Sequence, residues 1–473
     1  MDKSVLSVGV LGLGFMLLFT AFQTMGNIEK VVIDSIARDD TTFSGDGYVS
    51  LAIIYATFAI CNWLAPSVVA LLGPRGAMRL GSLTYCIFTA SFLWPQTWLL
   101  YAGSALLGIG AAVTWNGQGV YLSRCSNSST ISRNSAIFWA MLQASMLLGN
   151  AFVWREFSGK TEINVDTRTL LFSVLVVVAL LGVFVLFGLP EHKSAHKPGR
   201  PLAEIHSAMK LLVTPKMGLL SITFLYSGME LSFFSGVYSP TVGFTNALGA
   251  KHLVGLSGVC IGLGEVVGGI ACGLAGTKLR RDAILFGGYI FHAIAFATIL
   301  INLPDAAVFG ETDATSLLNP PSAALALVAA FLLGLGDACF NTQIVALLGG
   351  VFASQSAAAF ALFRFMQSLA AASGFAYSTV LGLRFQLALL ATMGALGTLA
   401  FWRVEWRTRA EAETICTETE KKIPKEHGGS RPYSISAKMY SARDSRSGTV
   451  WCTIYDGIGK NLVPKIGSWL HSR

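Results

Sequence analysis

Charge is scarce in this 473-residue chain: Asp, Glu, Lys and Arg make up 13% of it and hydrophobic residues 53%. A soluble domain carries about 25% charged residues, so a water-facing globular fold is excluded. The eight cysteines form no Cys-x-x-Cys and no Cys/His cluster, which excludes the common metal and redox sites. There is no Walker loop, no Ser/His/Asp set in a plausible context and no soluble stretch large enough for a catalytic domain. Neither enzyme chemistry nor a cofactor is expected. Gly262-Leu-Gly264 follows no strand and reads as helix packing, not as a nucleotide cradle. A cleavable leader is not expected either. Lys3 precedes an apolar run from Val5 to Phe22, longer than the roughly 7–15 apolar residues of a signal peptide, and no small-x-small site follows.

What the chain does have is twelve apolar stretches, each near the roughly 20 residues that cross a bilayer as helix. They cover about residues 5–25, 48–72, 77–95, 98–121, 136–153, 170–189, 217–238, 253–275, 283–302, 322–348, 357–380 and 385–403. The connecting loops alternate in charge. The side holding the N-terminus and every second loop carries 26 of the 34 Lys and Arg, with Arg79 and Arg403 at span ends counted among them, the other side seven, and only Arg364 lies deep inside a span. Basic loops resist translocation, so both termini are expected in the cytoplasm of a plasma membrane or endomembrane protein. The net charge of +8 is then a topology signal beside anionic lipid, not a nucleic-acid footprint. No cysteine falls in an exoplasmic loop, and the Asn127-Ser-Ser129 sequon falls on the cytoplasmic side, so neither disulfides nor glycosylation are expected.

The longest inner connection, Pro190 to Lys216, divides the spans six and six. Each six echoes the other. Leu107-Gly-Ile-Gly110-Ala-Ala112 resembles Leu333-Gly-Leu-Gly336-Asp-Ala338, Gln143 matches Gln367, and basic Gly-containing turns recur at Gly73–Arg79 and Gly276–Arg281. The pattern predicts an all-α polytopic membrane protein of two duplicated six-helix bundles. Residues 1–189 form the first, 190–216 a cytoplasmic linker and 217–403 the second. Residues 404–473 form a polar cytoplasmic tail expected to be disordered.

Four strings carry a resemblance: Phe19-Thr-Ala-Phe-Gln23-Thr-Met-Gly-Asn27, Arg133-Asn-Ser-Ala-Ile-Phe-Trp139, Met229-Glu-Leu-Ser-Phe-Phe-Ser-Gly236 and Gly334-Leu-Gly-Asp-Ala-Cys-Phe-Asn341-Thr-Gln343. With the order of spans, they resemble the Unc-ninety-three-like branch of the major facilitator superfamily over about residues 5–407. The resemblance implies a twelve-helix fold around a central cavity. It also implies a family of solute carriers and of accessory proteins for channels and receptors. Two departures stand out. Leu72-Gly-Pro-Arg75-Gly keeps little of the superfamily's signature between spans 2 and 3, and residues 411–473 resemble nothing in the family.

An ionisable group in the bilayer costs about 2.5–3.5 kcal/mol on the lenient insertion scale, so each needs a reason. Glu230, Glu265, Asp337 and Arg364 are the clear cases and His292 a weaker one, expected to be a satisfied polar residue on a peripheral span. Gln23 with Asn27, and Asp337 with Asn341, share helix faces by four-residue spacing. The fold resemblance puts spans 1, 4, 7 and 10 around the cavity. Gln23, Asn27, Trp115, Asn116, Tyr226, Glu230, Asp337 and Asn341 are therefore the candidates for binding a small molecule or ion. The competing reading of these polar groups is interhelical glue. Asp337 and Arg364, at similar depth on consecutive spans, are expected to form a buried charge pair. Glu265, between Gly264 and Gly268, is expected to serve packing between the halves. Two functions stay open: a secondary transporter working by alternating access, or a non-transporting membrane partner that regulates or chaperones a channel or receptor.

Overall fold

The computed structural model describes residues 3–126, 130–160, 162–191, 201–276, 279–422, 440–443 and 450–453. The first half holds α1 (Lys3–Asp39), α2 (Gly47–Cys61), α3 (Ala65–Ser91), α4 (Thr97–Arg124), α5 (Ile131–Phe157) and α6 (Val165–Phe187). After a short α7 (Pro201–Leu212) come α8 (Pro215–Ser232), α9 (Tyr238–Phe244), α10 (Leu253–Ala275), α11 (Arg281–Asn302), α12 (Ala323–Val351), α13 (Ser356–Ser378) and α14 (Leu383–Lys422). Among the described residues, nine single helices are long and apolar enough to cross a membrane, and the bent pair α2–α3 makes a tenth. Gly73, at φ 70° and ψ 161°, breaks α3 at the turn between spans 2 and 3. Counting that break and α13, the helices fit twelve crossings.

Local chemistry sets several boundaries. Asp46 caps α2 by accepting from the Tyr48 and Val49 amides, Asn164 caps α6, and Thr214 followed by Pro215 opens α8. Span 7 is interrupted by a π turn at Phe233–Val237. Pro240, just inside α9, lacks the amide needed to continue a regular ladder there. α1 runs to Asp39, well beyond the end that hydropathy places near residue 25. In its polar second part Lys30 is paired within the protein: its Nζ lies 2.8 Å from Asp34 and 3.0 Å from Asp46.

The two halves are built by the same helix pairings. In the first, α1 packs on α5 and α6, α4 on α2 and α3, and α3 on α6. In the second, α8 packs on α13 and α14, α12 on α10 and α11, and α11 on α14, which repeats the first set span for span. The halves meet where α2 lies against α13, α5 against α10, and α1 against α9. Glycine permits the closest approaches: a side chain on Gly334 would strike the Ile261 carbonyl, and one on Gly264 the Phe331 carbonyl.

α14 continues past residue 403 to Lys422, and strands Tyr440–Arg443 and Val450–Thr453 pair antiparallel. The remainder of the tail and the sequon at Asn127 lie outside the described residues.

Candidate functional site

The acidic groups of the second half converge within the bundle. Tyr226 and Glu230, one turn apart on α8, are enclosed at 0% and 1% exposure, so they do not open onto the space between the halves. His292 of α11 joins them. Its Nε2 lies 3.2 Å from Glu230 Oε1 and 3.1 Å from the Leu333 carbonyl oxygen, and its Nδ1 lies 2.6 Å from the Tyr226 hydroxyl. A carbonyl only accepts, so Nε2 carries the hydrogen and Nδ1 accepts from the tyrosine. With that N–H aimed at Leu333, Glu230 Oε1 is left without a hydrogen-bond donor. Asp337 of α12 faces Glu230 from the other side. The imidazole stacks on Phe340 at 5.6 Å and packs over Gly336, where any side chain would collide with it.

His292 is therefore no isolated peripheral residue. Span 9 is peripheral, but its inner face meets α12 at a glycine, and the ring passes through that gap.

The expected Asp337–Arg364 ion pair is not formed. Two amides stand between them. Arg364 donates to Gln367 Oε1 at 2.9 Å, Gln367 Nε2 to Asn341 Oδ1 at 3.3 Å, and Asn341 Nδ2 to Asp337 Oδ1 at 2.6 Å. Matching depth along two helices predicted a contact, but Gln367 and Asn341 occupy the space in which the charges would meet. The Arg364 guanidinium instead lies 6.0 Å from the Trp115 ring of the opposite half and 5.2 Å from Phe363.

The remaining candidates divide by exposure. Gln23, Trp115, Asn116, Asn341 and Arg364 are half-buried, with Arg364 facing Trp115 of the opposite half, while Asn27 is fully enclosed. Asn27 donates to Asn150 at 3.0 Å and Gln23 accepts from Ser145 at 2.5 Å, so their shared face ties α1 to α5. Asn116 donates to Asn62 at 2.8 Å. Trp115 stands in an aromatic wall with Phe15, Phe19, Phe138 and Trp139 at ring distances of 5.2–6.5 Å. Glu265 accepts from Gln143 of α5 across the halves, whereas Gly264 and Gly268 face α12 within their own half.

Sequence reading missed Glu29, which the long α1 encloses beside Ser50 with neither carboxylate oxygen hydrogen-bonded. Its signal was faint because hydropathy places it in a loop.

The two ends of the bundle differ. At the end away from the termini, the halves are joined: Arg38 of α1 pairs with Glu311 at 2.8 Å, and the Tyr48 hydroxyl donates to the Val308 carbonyl at 2.9 Å. Lys251 holds the other oxygen of Glu311 at 2.7 Å. Burial raises the Glu311 pKa, but the two cations outweigh it and hold the carboxyl below its ordinary value. At the opposite end the ion pairs among the described residues stay within one half, as in Arg75–Glu191, Arg281–Glu405 and Arg409–Asp282.

Two bundles built by the same pairings around polar groups at mid-depth define a multi-pass membrane protein of the major facilitator type. Solved structures agree in fold. The nucleoside transporter NupG matches with a TM-score of 0.59 and 12% identity over 85% of this chain and 99% of that one. A POT family transporter in complex with 5-aminolevulinic acid matches at 0.61 and 15% over 85% and 96%. The chain belongs to the UNC-93 family, whose model, described as ion channel regulatory protein UNC-93, matches residues 39–402. UNC93-like protein MFSD11 of Xenopus laevis is 41% identical over 86% of this chain and 97% of its own. UNC93-like protein 3 of Arabidopsis thaliana is 28% identical over 82% and 83%.

Proposed function

We propose that this protein is a proton-coupled secondary transporter working by alternating access, with both termini in the cytoplasm. The carrying observation is the enclosed cluster of Glu230, His292, Asp337 and Tyr226. Two acids and an imidazole within reach, one acid oxygen lacking a donor, give a bound proton a place and a short path at bilayer mid-depth. The asymmetry of the ends supports the same reading. Polar contacts hold the halves together on the exoplasmic side and none of the described ion pairs does so on the cytoplasmic side, as expected of an inward-facing state.

The test is reconstitution into liposomes with an imposed pH gradient, a panel of organic acids, amines and nucleosides, and a pH-sensitive dye inside. A solute should accumulate with the gradient, and Glu230→Gln, which keeps the shape but cannot titrate, should abolish the coupling. The family model's description favours a second reading, a regulator of an ion channel. Absence of solute and proton flux together with co-purification of a stoichiometric membrane partner would replace the first reading with that one.

A further inference from the structure

Arg364 is the only basic residue deep within the predicted spans, and among the described residues no carboxylate pairs with it directly. Its one hydrogen bond among the described residues uses a single member of a planar five-hydrogen fork. The group is half-buried at the boundary between the halves and faces Trp115 across it. A guanidinium with free donors is costly in a bilayer unless something anionic completes it. Its fork matches a carboxylate, which it binds bidentately.

We propose that Arg364 and Trp115 form the subsite for the solute's anionic end: the substrate is a carboxylate whose flat apolar body lies against Trp115, the half-buried ring of the aromatic cluster of α1, α4 and α5. This rests on the transport reading above and names its substrate class. Nearby groups give the coupling. Asp337 of α12 is the counter-charge at the other end of the amide relay, with Glu230 of α8, Glu265 of α10 and His292 of α11 around it. A proton on Asp337 removes a nearby negative charge that opposes an incoming carboxylate, so proton and carboxylate bind together.

The experiment uses the purified full-length protein in detergent, without any gradient. Benzoate and phenylacetate are compared with benzamide and benzylamine by thermal shift and calorimetry. The carboxylates should stabilise and the amide and amine should not. Arg364→Gln should weaken carboxylate binding at least about tenfold, and Arg364→Lys, which keeps charge but not the fork, should retain part of it. Lowering the pH should tighten binding in the parent protein but not in Asp337→Asn. If Arg364→Gln does not fold, Arg364→Lys and Trp115→Leu carry the same comparison. Equal stabilisation by benzylamine, no carboxylate binding, or binding unchanged by these substitutions overturns the proposal. Carboxylate binding with no proton flux in liposomes removes the transport reading and leaves this subsite standing.

Discussion

His292 Nε2 stands 3.2 Å from Glu230 Oε1, yet its hydrogen is directed to the Leu333 carbonyl. The imidazole therefore fixes the carboxyl by packing and proximity, and holds Tyr226 by a true hydrogen bond of 2.6 Å. Replacing His292 by Ala should orphan the tyrosine hydroxyl and open a cavity, at a cost of about 2–4 kcal/mol, seen as a lower melting temperature in detergent. His292→Gln should recover part of that loss. Glu230→Gln combined with His292→Gln should show a coupling of about 1–3 kcal/mol, whereas additive losses would mean the two do not act as a unit.

Asp337 and Arg364 communicate through Gln367 and Asn341. Asp337→Asn and Arg364→Gln should consequently be close to additive in thermal stability, with a coupling below about 1 kcal/mol. In a Gln367→Leu background even that remainder should vanish. A strong coupling that survives Gln367→Leu would restore the direct pair.

Glu311 should make closure of the end away from the termini pH-sensitive. Its carboxyl is depressed from the ordinary value of 4.5, so its contribution is complete above that pH and is lost as pH falls through the lower folded value. Spin labels at Thr41 and Ala314, on loops of opposite halves, should separate at acid pH. Glu311→Gln should reproduce the separation at neutral pH. An unchanged distance distribution in Glu311→Gln would assign closure to the Tyr48–Val308 contact.

Gly264 and Gly269 provide an internal control on helix packing. A methyl on Gly264 would overlap the Phe331 carbonyl, whereas one on Gly269 meets nothing within 4 Å. Gly264→Ala should force α10 from α12 and cost more than about 1 kcal/mol, lowering the folded yield. Gly269→Ala should be neutral or mildly stabilising in the same expression assay, since alanine is the better helix former.

The helical membrane fold, the repeated pairing of the halves and the family were legible in the sequence, and a count of twelve crossings fits the structure. Apolar length, loop charge, and strings such as Met229–Gly236 are local properties, and a bilayer turns local hydropathy directly into crossings. Most of the acidic cluster was also visible, because a carboxyl in an apolar run is conspicuous by itself.

Only the tertiary structure decided who meets whom. His292 became central because a glycine at 336 on a neighbouring helix leaves room for its ring. Arg364 missed Asp337 because two amides from α12 and α13 fill the gap. Glu230 and Tyr226 turned inward, leaving Arg364 and Trp115 at the boundary. Helical period and depth determine a residue's height and approximate face. Its partners follow from helix rotation and from the side chains of other spans, which no single stretch of sequence encodes.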